Sequence, residues 1–329
     1  MSKYGPIPGL LFDYFLPPDK CIADDVEGGK GEVEESLHVR ISEYDLVLDR
    51  KIQDLLSRQP SIALWTEQYG ADSNPTIFAM HPCKVEGLQY LSLFSVFGLA
   101  TQYIGYRVGA ATVNATLEGA RMMYEFLQLR AETKRSAGWI FEARTHVIFQ
   151  RGGRFEVTKL GGSTTITIEI SNKPCRTFSQ ASELGSLLRR GPQSRNIDPD
   201  MIGAYFKSQG CSLGSLDSFA VTTFAASREP VLVIFHMTVS TSHPVKADGL
   251  ASVWAGIPAD LKKTPPLLVF VVPVDIAKTF PRQTIVPAAG NTSPFDKWDQ
   301  YVLAVSDESL WNNNPPDFEE SRISDLTSS

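Results

Sequence analysis

Six consecutive apolar residues, Leu267-Leu268-Val269-Phe270-Val271-Val272, constrain this chain more than any other stretch. The run is too short for a buried helix and rich in β-branched valine, so it reads as a buried strand. A second strand is expected over Val231–Ser240. Val231, Val233, Phe235, Met237 and Val239 line one of its faces. The other face begins with Leu232 and Ile234 and then turns to His236, Thr238 and Ser240. Leu216–Phe224 and Tyr301–Val305 read as further strands. Phe155–Leu160 and Thr164–Ile170 resemble a hairpin about Gly161-Gly162, with Ile166, Ile168 and Ile170 on one side and Thr165, Thr167 and Glu169 on the other. Helices are expected over Trp139–Gln150, ended by Gly152-Gly153, and over Ser179–Arg190 and Pro244–Trp254. Strands mixed with helices in this order describe an α/β layer arrangement.

The chain has 329 residues, more than one core usually serves. Residues 1–136 read as a mainly helical N-terminal region, 137–309 as the α/β domain, and 310–329 as a polar tail. Asp19–Glu35 holds three glycines and seven acidic residues, with too few apolar side chains for a core, and reads as an acidic mobile loop near residues 19–36. A helix is expected over Ser42–Leu56 and a short strand over Ser61–Trp65. Val85–Arg135 has a helical pattern punctuated by Gly98, Gly105 and Gly109, which suggests two or three helices. Polar Glu132–Ser136 suits a boundary.

Net charge is −6, which argues mildly against a protein that coats nucleic acid and leaves room for a local basic groove. The four cysteines form no CxxC pair and read as reduced thiols. Pro6, Pro8 and Asp13 interrupt the N-terminus before any apolar run, so no secretory signal is read. Leu88–Ala100, the longest apolar stretch, falls short of a bilayer of roughly 30 Å. No membrane partner is expected, and a cytoplasmic or nuclear location follows by elimination.

Three features carry chemistry. Trp139, Glu142, His146 and Phe149 share one helix face, where a carboxylate is out of place and needs a cation, a metal or a proton. The plainer reading is a stripe-edge pair of Glu142 with His146. Asp217 stands at the entry to an otherwise apolar strand, a position that turn or cap residues also take. His236 and Thr238 mark the point where an apolar strand turns polar on one side, as sheets do where they open into a site.

In order and spacing these blocks resemble the restriction-endonuclease-like domain of fungal Crinkler and retrotransposon-hot-spot-type effectors. The blocks are Gly138-Trp139-Ile140-Phe141-Glu142 with His146 and Gly152-Gly153-Arg154-Phe155, then Ser215-Leu216-Asp217-Ser218-Phe219. They continue with Phe235-His236-Met237-Thr238-Val239-Ser240, with Ser242-His243-Pro244-Val245-Lys246, and with Leu268-Val269-Phe270-Val271-Val272-Pro273. The resemblance covers roughly residues 137–305. It implies a mixed sheet flanked by helices and a divalent-metal phosphodiesterase acting on DNA. Glu142, Asp217 and His236 would then hold Mg²⁺ or Mn²⁺, with Thr238 beside them and Lys246 or His243 near the scissile phosphate. The third block departs from the family pattern, since Glu-x-Lys is absent and His236 stands where that family often has Gln. An upstream P-loop is absent too. The alternative function is a catalytically silent copy of the fold that binds nucleic acid or a protein.

Other motifs compete. Gly210-Cys211-Ser212-Leu213-Gly214 matches the GxSxG nucleophile elbow, without the strand before it and the helix after it that the elbow needs. His146, His236 and His243 are candidates for a three-histidine zinc site. Arg144, Arg151 and Arg154 flank the Glu142 helix, either as a solvated face or as phosphate contacts.

Overall fold

The computed structural model describes residues 45–54, 56, 78–82, 95–99, 102–114, 116–129, 133–191, 194, 196–208, 216–224, 229–287 and 294–312. The acidic stretch at 19–36, the strand expected over Ser61–Trp65, the GxSxG motif and the tail from residue 313 lie outside these. The chain divides into two compact units, Met1–Ala143 and Arg144–Ser329.

In the first unit, residues 45–54 form helix α1, which buries Leu48 and Ile52, four apart on one stripe. Strands β1 (Phe78–Pro82) and β2 (Ser95–Leu99) pair antiparallel. Helices α2 (Gln102–Asn114) and α3 (Leu117–Gln128) follow, and Thr116 caps α3 by accepting the Gly119 N–H at 3.3 Å. The helical reading of Val85–Arg135 therefore fails at β2. Val96, Phe97 and Leu99 suit a strand as well as a helix, and pairing with Phe78–Pro82 decides between them. Gly105 and Gly109 do not break α2. A Cβ on Gly105 would lie 1.8 Å from the Trp139 ring, and one on Gly109 would lie 2.8 Å from the Trp139 carbonyl, so both glycines let Trp139 approach the helix backbone.

Helix α4 (Lys134–Gln150) starts earlier than expected, so the anticipated border at 136/137 falls inside it. It ends at Gly152, whose φ of 74° and close approach to the Ile170 carbonyl exclude a side chain.

The second unit holds an eight-stranded sheet. Its strands are β3 (Gly153–Lys159), β4 (Thr165–Ile170), β5 (Arg176–Phe178), β6 (Tyr205–Ser208), β7 (Ser218–Thr223), β8 (Pro230–Met237), β10 (Leu267–Pro273) and β12 (Gln300–Val305). Their order is β4-β3-β12-β10-β8-β7-β6-β5. The three central strands β12, β10 and β8 are parallel, as are β5 and β6, and the other neighbours are antiparallel. The short strands β9 (Val245–Lys246) and β11 (Ile285–Val286) pair with each other. The fold is thus a mixed α/β sheet flanked by helices, and the expected hairpin of β3 with β4 is present.

Both faces of the sheet are covered, which is why β8 and β10 read as continuous apolar runs. On one face Phe219, Leu232, Ile234, Leu268 and Phe270 form a core with α5 (Leu184–Leu188) and α6 (Ala247–Gly256). On the other lies the C-terminal part of α4. Its Phe149 ring sits 4.5 Å from Phe235, 5.0 Å from Phe155 and 5.4 Å from Tyr205. Helix α7 (Val274–Ala277) follows β10. A last helix, α8 (Asp307–Trp311), buries Leu310 and Trp311, so the expected polar tail does not begin at residue 310. Ser306 caps α8 by accepting the Ser309 N–H at 3.1 Å.

Candidate functional site

The polar cluster forms at the carboxyl ends of the parallel strands, where sheets of this kind place ligands. Asp217 lies one residue before β7, whose Ser218 is opposite Phe235. This register sets Asp217 level with His236. The Asp217 N–H donates to the Phe235 carbonyl at 3.3 Å, and the Met237 N–H donates to Asp217 Oδ2 at 2.6 Å. The carboxylate therefore takes over a ladder position at the end of β8. Thr238 is held from the other side, its N–H donating to the Val271 carbonyl at 3.0 Å.

His236 is 4% exposed, between Phe270 and His243, with ring centroids 5.8 Å and 4.3 Å away. Its Nδ1 lies 3.4 Å from Asp217 Oδ2, out of line for a hydrogen bond, and neither ring nitrogen has a hydrogen-bond partner among the described residues. Two influences oppose each other there. The carboxylate favours an imidazolium, while burial disfavours it. Burial dominates and pushes the pKa down to about 4, so the ring is neutral at pH 7. Thr238 Oγ1 lies 3.2 Å from His243 Nδ1 and accepts the Ser240 N–H at 3.0 Å. Lys246 is exposed on β9, three residues beyond His243.

The structure thus brings together Asp217, His236, Thr238 and His243 within the second unit. Glu142 is half-buried on α4 and belongs to the first unit. The three histidines do not make one set. His146 Nδ1 lies 2.6 Å from the Tyr205 hydroxyl, on the sheet face that carries Phe149 and Phe235. His236, the next residue after Phe235, points to the opposite face. Burial pushes the His146 pKa down to about 3, the Lys207 cation adds to that, and Asp217 opposes it. Among the described residues no group of three or more His, Cys, Asp or Glu side chains is arranged to hold a metal ion.

The arginines divide. Arg154 is exposed on β3. Arg144 is 1% exposed, contrary to the solvated face, one of the two roles offered for it. Its Nε donates to the Leu310 carbonyl at 3.1 Å and its guanidinium lies 5.8 Å from the Trp311 ring centroid. Arg151 Nη1 donates to the Asn312 carbonyl at 2.8 Å. One helical stripe of α4 therefore fastens the segment 310–312.

Two residues of the site's surroundings carry no sequence signal. Gln283 and Gln300 are 6% and 1% exposed. Gln283 Oε1 accepts the His243 N–H at 2.6 Å, and Gln300 accepts the Gln283 N–H at 2.8 Å. A glutamine next to Pro281-Arg282 and another heading an apolar strand look like ordinary surface residues.

No protein-family model matches the chain, and no curated protein or solved structure matches it either.

Proposed function

We infer that the second unit is a nuclease-type domain that hydrolyses phosphodiester bonds, DNA foremost, with the help of a divalent ion. The observation that carries this reading is the meeting of Asp217 and His236, 3.4 Å apart, at the carboxyl ends of β8 and β10. The donor set fits an ion in part. A neutral imidazole with no hydrogen-bond partner has a lone pair to offer, and a carboxylate oxygen lies beside it. Two protein ligands with water completing the shell suit a cation that keeps several waters. One nitrogen among the ligands favours Mn²⁺ over Mg²⁺. Asp217 and His236 would hold the ion, which when bound supplies Lewis-acid charge and acidifies a water.

The chain's own residues supply the rest. The Met237 N–H fixes the Asp217 carboxylate, and Phe270 and His243 fix the plane of His236. Thr238, buried and joined to His243, sets a hydroxyl beside that ring. Exposed Lys246 and Arg154 offer positive charge to a phosphate backbone. One observation favours the second reading, a catalytically silent copy that binds nucleic acid or a protein. Asp217 Oδ2 already serves the fold by accepting the Met237 N–H at 2.6 Å.

Cleavage of supercoiled plasmid and of RNA, with Mn²⁺ and with Mg²⁺, separates the two. The expected result is faster cleavage with Mn²⁺, reduced at least about a hundred-fold in Asp217→Asn. An Asn oxygen can still accept the Met237 N–H, so stability should change by no more than about 1 kcal/mol. Because burial holds the His236 pKa near 4, that ligand stays deprotonated well below the pH at which an ordinary histidine charges. His236→Glu restores a carboxylate, and a rise in rate would identify His236 as limiting. If neither the wild type nor His236→Glu cleaves with Mn²⁺ and calorimetry detects no ion binding, the enzyme reading is lost to the binding one.

A further inference from the structure

The geometry points to Gln283 as the positioning residue of this site, the side chain that sets where His243 and Thr238 stand. The inference rests on the site assignment above and not on the nature of its substrate. The loop that leaves β8 at Thr238 reaches β9 at Val245 and carries His243 between them. Its main chain is fixed largely by one amide. Gln283 Oε1 accepts the N–H of His243 itself at 2.6 Å. Gln283 Nε2 donates to the Thr241 carbonyl at 3.1 Å and to the Pro281 carbonyl at 2.8 Å. The next residue, Pro244, has no N–H to offer, so His243 carries the last main-chain donor before β9. The Val245 N–H then donates to the Thr284 carbonyl at 3.0 Å.

Gln283 is itself held by a reciprocal pair. Its N–H donates to Gln300 Oε1 at 2.8 Å, and Gln300 Nε2 donates to its carbonyl at 2.9 Å. Gln300 heads β12, next to β10 in the sheet. A rigid line therefore runs from the central sheet through two buried amides to the imidazole that meets Thr238 Oγ1 at 3.2 Å and lies against His236. Buried amides matched in this way specify one arrangement, because any other leaves polar atoms unsatisfied.

Gln283→Met keeps the length and removes the amide; Gln283→Glu keeps an acceptor for the His243 N–H and loses the donors. The full chain, with each variant, is followed by NMR of the histidine ring protons across pH, beside thermal unfolding. In Gln283→Met the His243 signal is expected to broaden or split and its titration midpoint to move, with Gln283→Glu intermediate. His146, on the other face of the sheet, should keep its signal, which distinguishes local repositioning from general loosening. If the wild type cleaves, the Met variant should lose at least about ten-fold in kcat with KM nearly unchanged. A His243 signal and titration identical to wild type in Gln283→Met overturns the inference, whatever happens to the melting temperature. The NMR arm stands even if no nucleic acid is cleaved, so failure of the nuclease reading and failure of this one are told apart.

Discussion

Phe149→Ala is expected to destabilise the second unit by about 3–5 kcal/mol, a large share of the roughly 5–15 kcal/mol that a folded domain has in reserve. The ring sits in the last turn of α4 and touches strands that are far apart in the sheet order, β3 through Phe155, β8 through Phe235 and β6 through Tyr205. The sheet therefore curves around this side chain, and no single neighbour can move to fill the space it leaves. Cost at fixed chemistry rises with the cavity that remains, and a site walled by several strands collapses little. Phe149→Leu keeps most of the volume and should cost less than about 2 kcal/mol. Urea unfolding followed by far-UV circular dichroism reads both. A loss below about 1 kcal/mol for the Ala variant would mean that α4 is not seated against the sheet.

Acid should weaken the second unit well before its carboxylates titrate. His146 and His236 are buried on opposite faces of the sheet, with pKa values pushed down to about 3 and about 4. In the unfolded chain both return to about 6.5. Below pH 6.5 the unfolded state therefore binds protons that the folded state refuses. The stability that comes from keeping these rings neutral is complete above pH 6.5. It is lost as pH falls from there toward the folded values, by about 1.4 kcal/mol per pH unit for each ring. By pH 4.5 the two together amount to a loss on the order of 5 kcal/mol. The low value at His146 already includes the Lys207 cation, which adds to the effect of burial, and Asp217, which opposes it. Urea midpoints at pH 7.5, 6 and 5 test the claim, and His236→Leu should flatten the slope by about half. Midpoints that do not change between pH 7.5 and 5 would refute the buried neutral state of both rings.

Much of the second unit was legible in the sequence because its signals are local. The run Leu267–Val272 can be little but a buried strand, and the alternation of Ile166, Ile168 and Ile170 against threonines marks β4 without a partner in view. The change from Ile234 to His236 along one face of β8 located the polar end of the sheet, and Asp217 came with it. What stayed hidden depends on partners distant in the chain. β2 has apolar spacing that serves a helix equally well, and only β1 settles it. Arg144 reads as a surface cation because nothing local foretells that α8 will cover it. Gln283 and Gln300 act through main-chain groups of other segments, and side-chain periodicity has no means of registering such bonds. β6 is only four residues long and lacks the length that makes alternation visible.

The place of β12 in the sheet has a consequence for how the protein is made. Among the described residues it is the last strand in the chain, yet it lies inside the sheet, with β10 on one side and β3 on the other. Among the described residues, the strand pairing that links the hairpin of β3 and β4 to the rest of the eight-stranded sheet runs through β12. While a ribosome is still short of Gln300, β3 and β10 each present an open edge, and that of β10 is apolar along nearly its whole length. Such edges recruit other chains. Closure must wait for the final strand, and contacts so far apart in sequence form slowly. Completion of the sheet therefore waits for the synthesis of β12, and until then these two edges stay open to other chains. A polypeptide ended at Asp299 should pellet, and its recovery as a folded monomer would contradict this order of events.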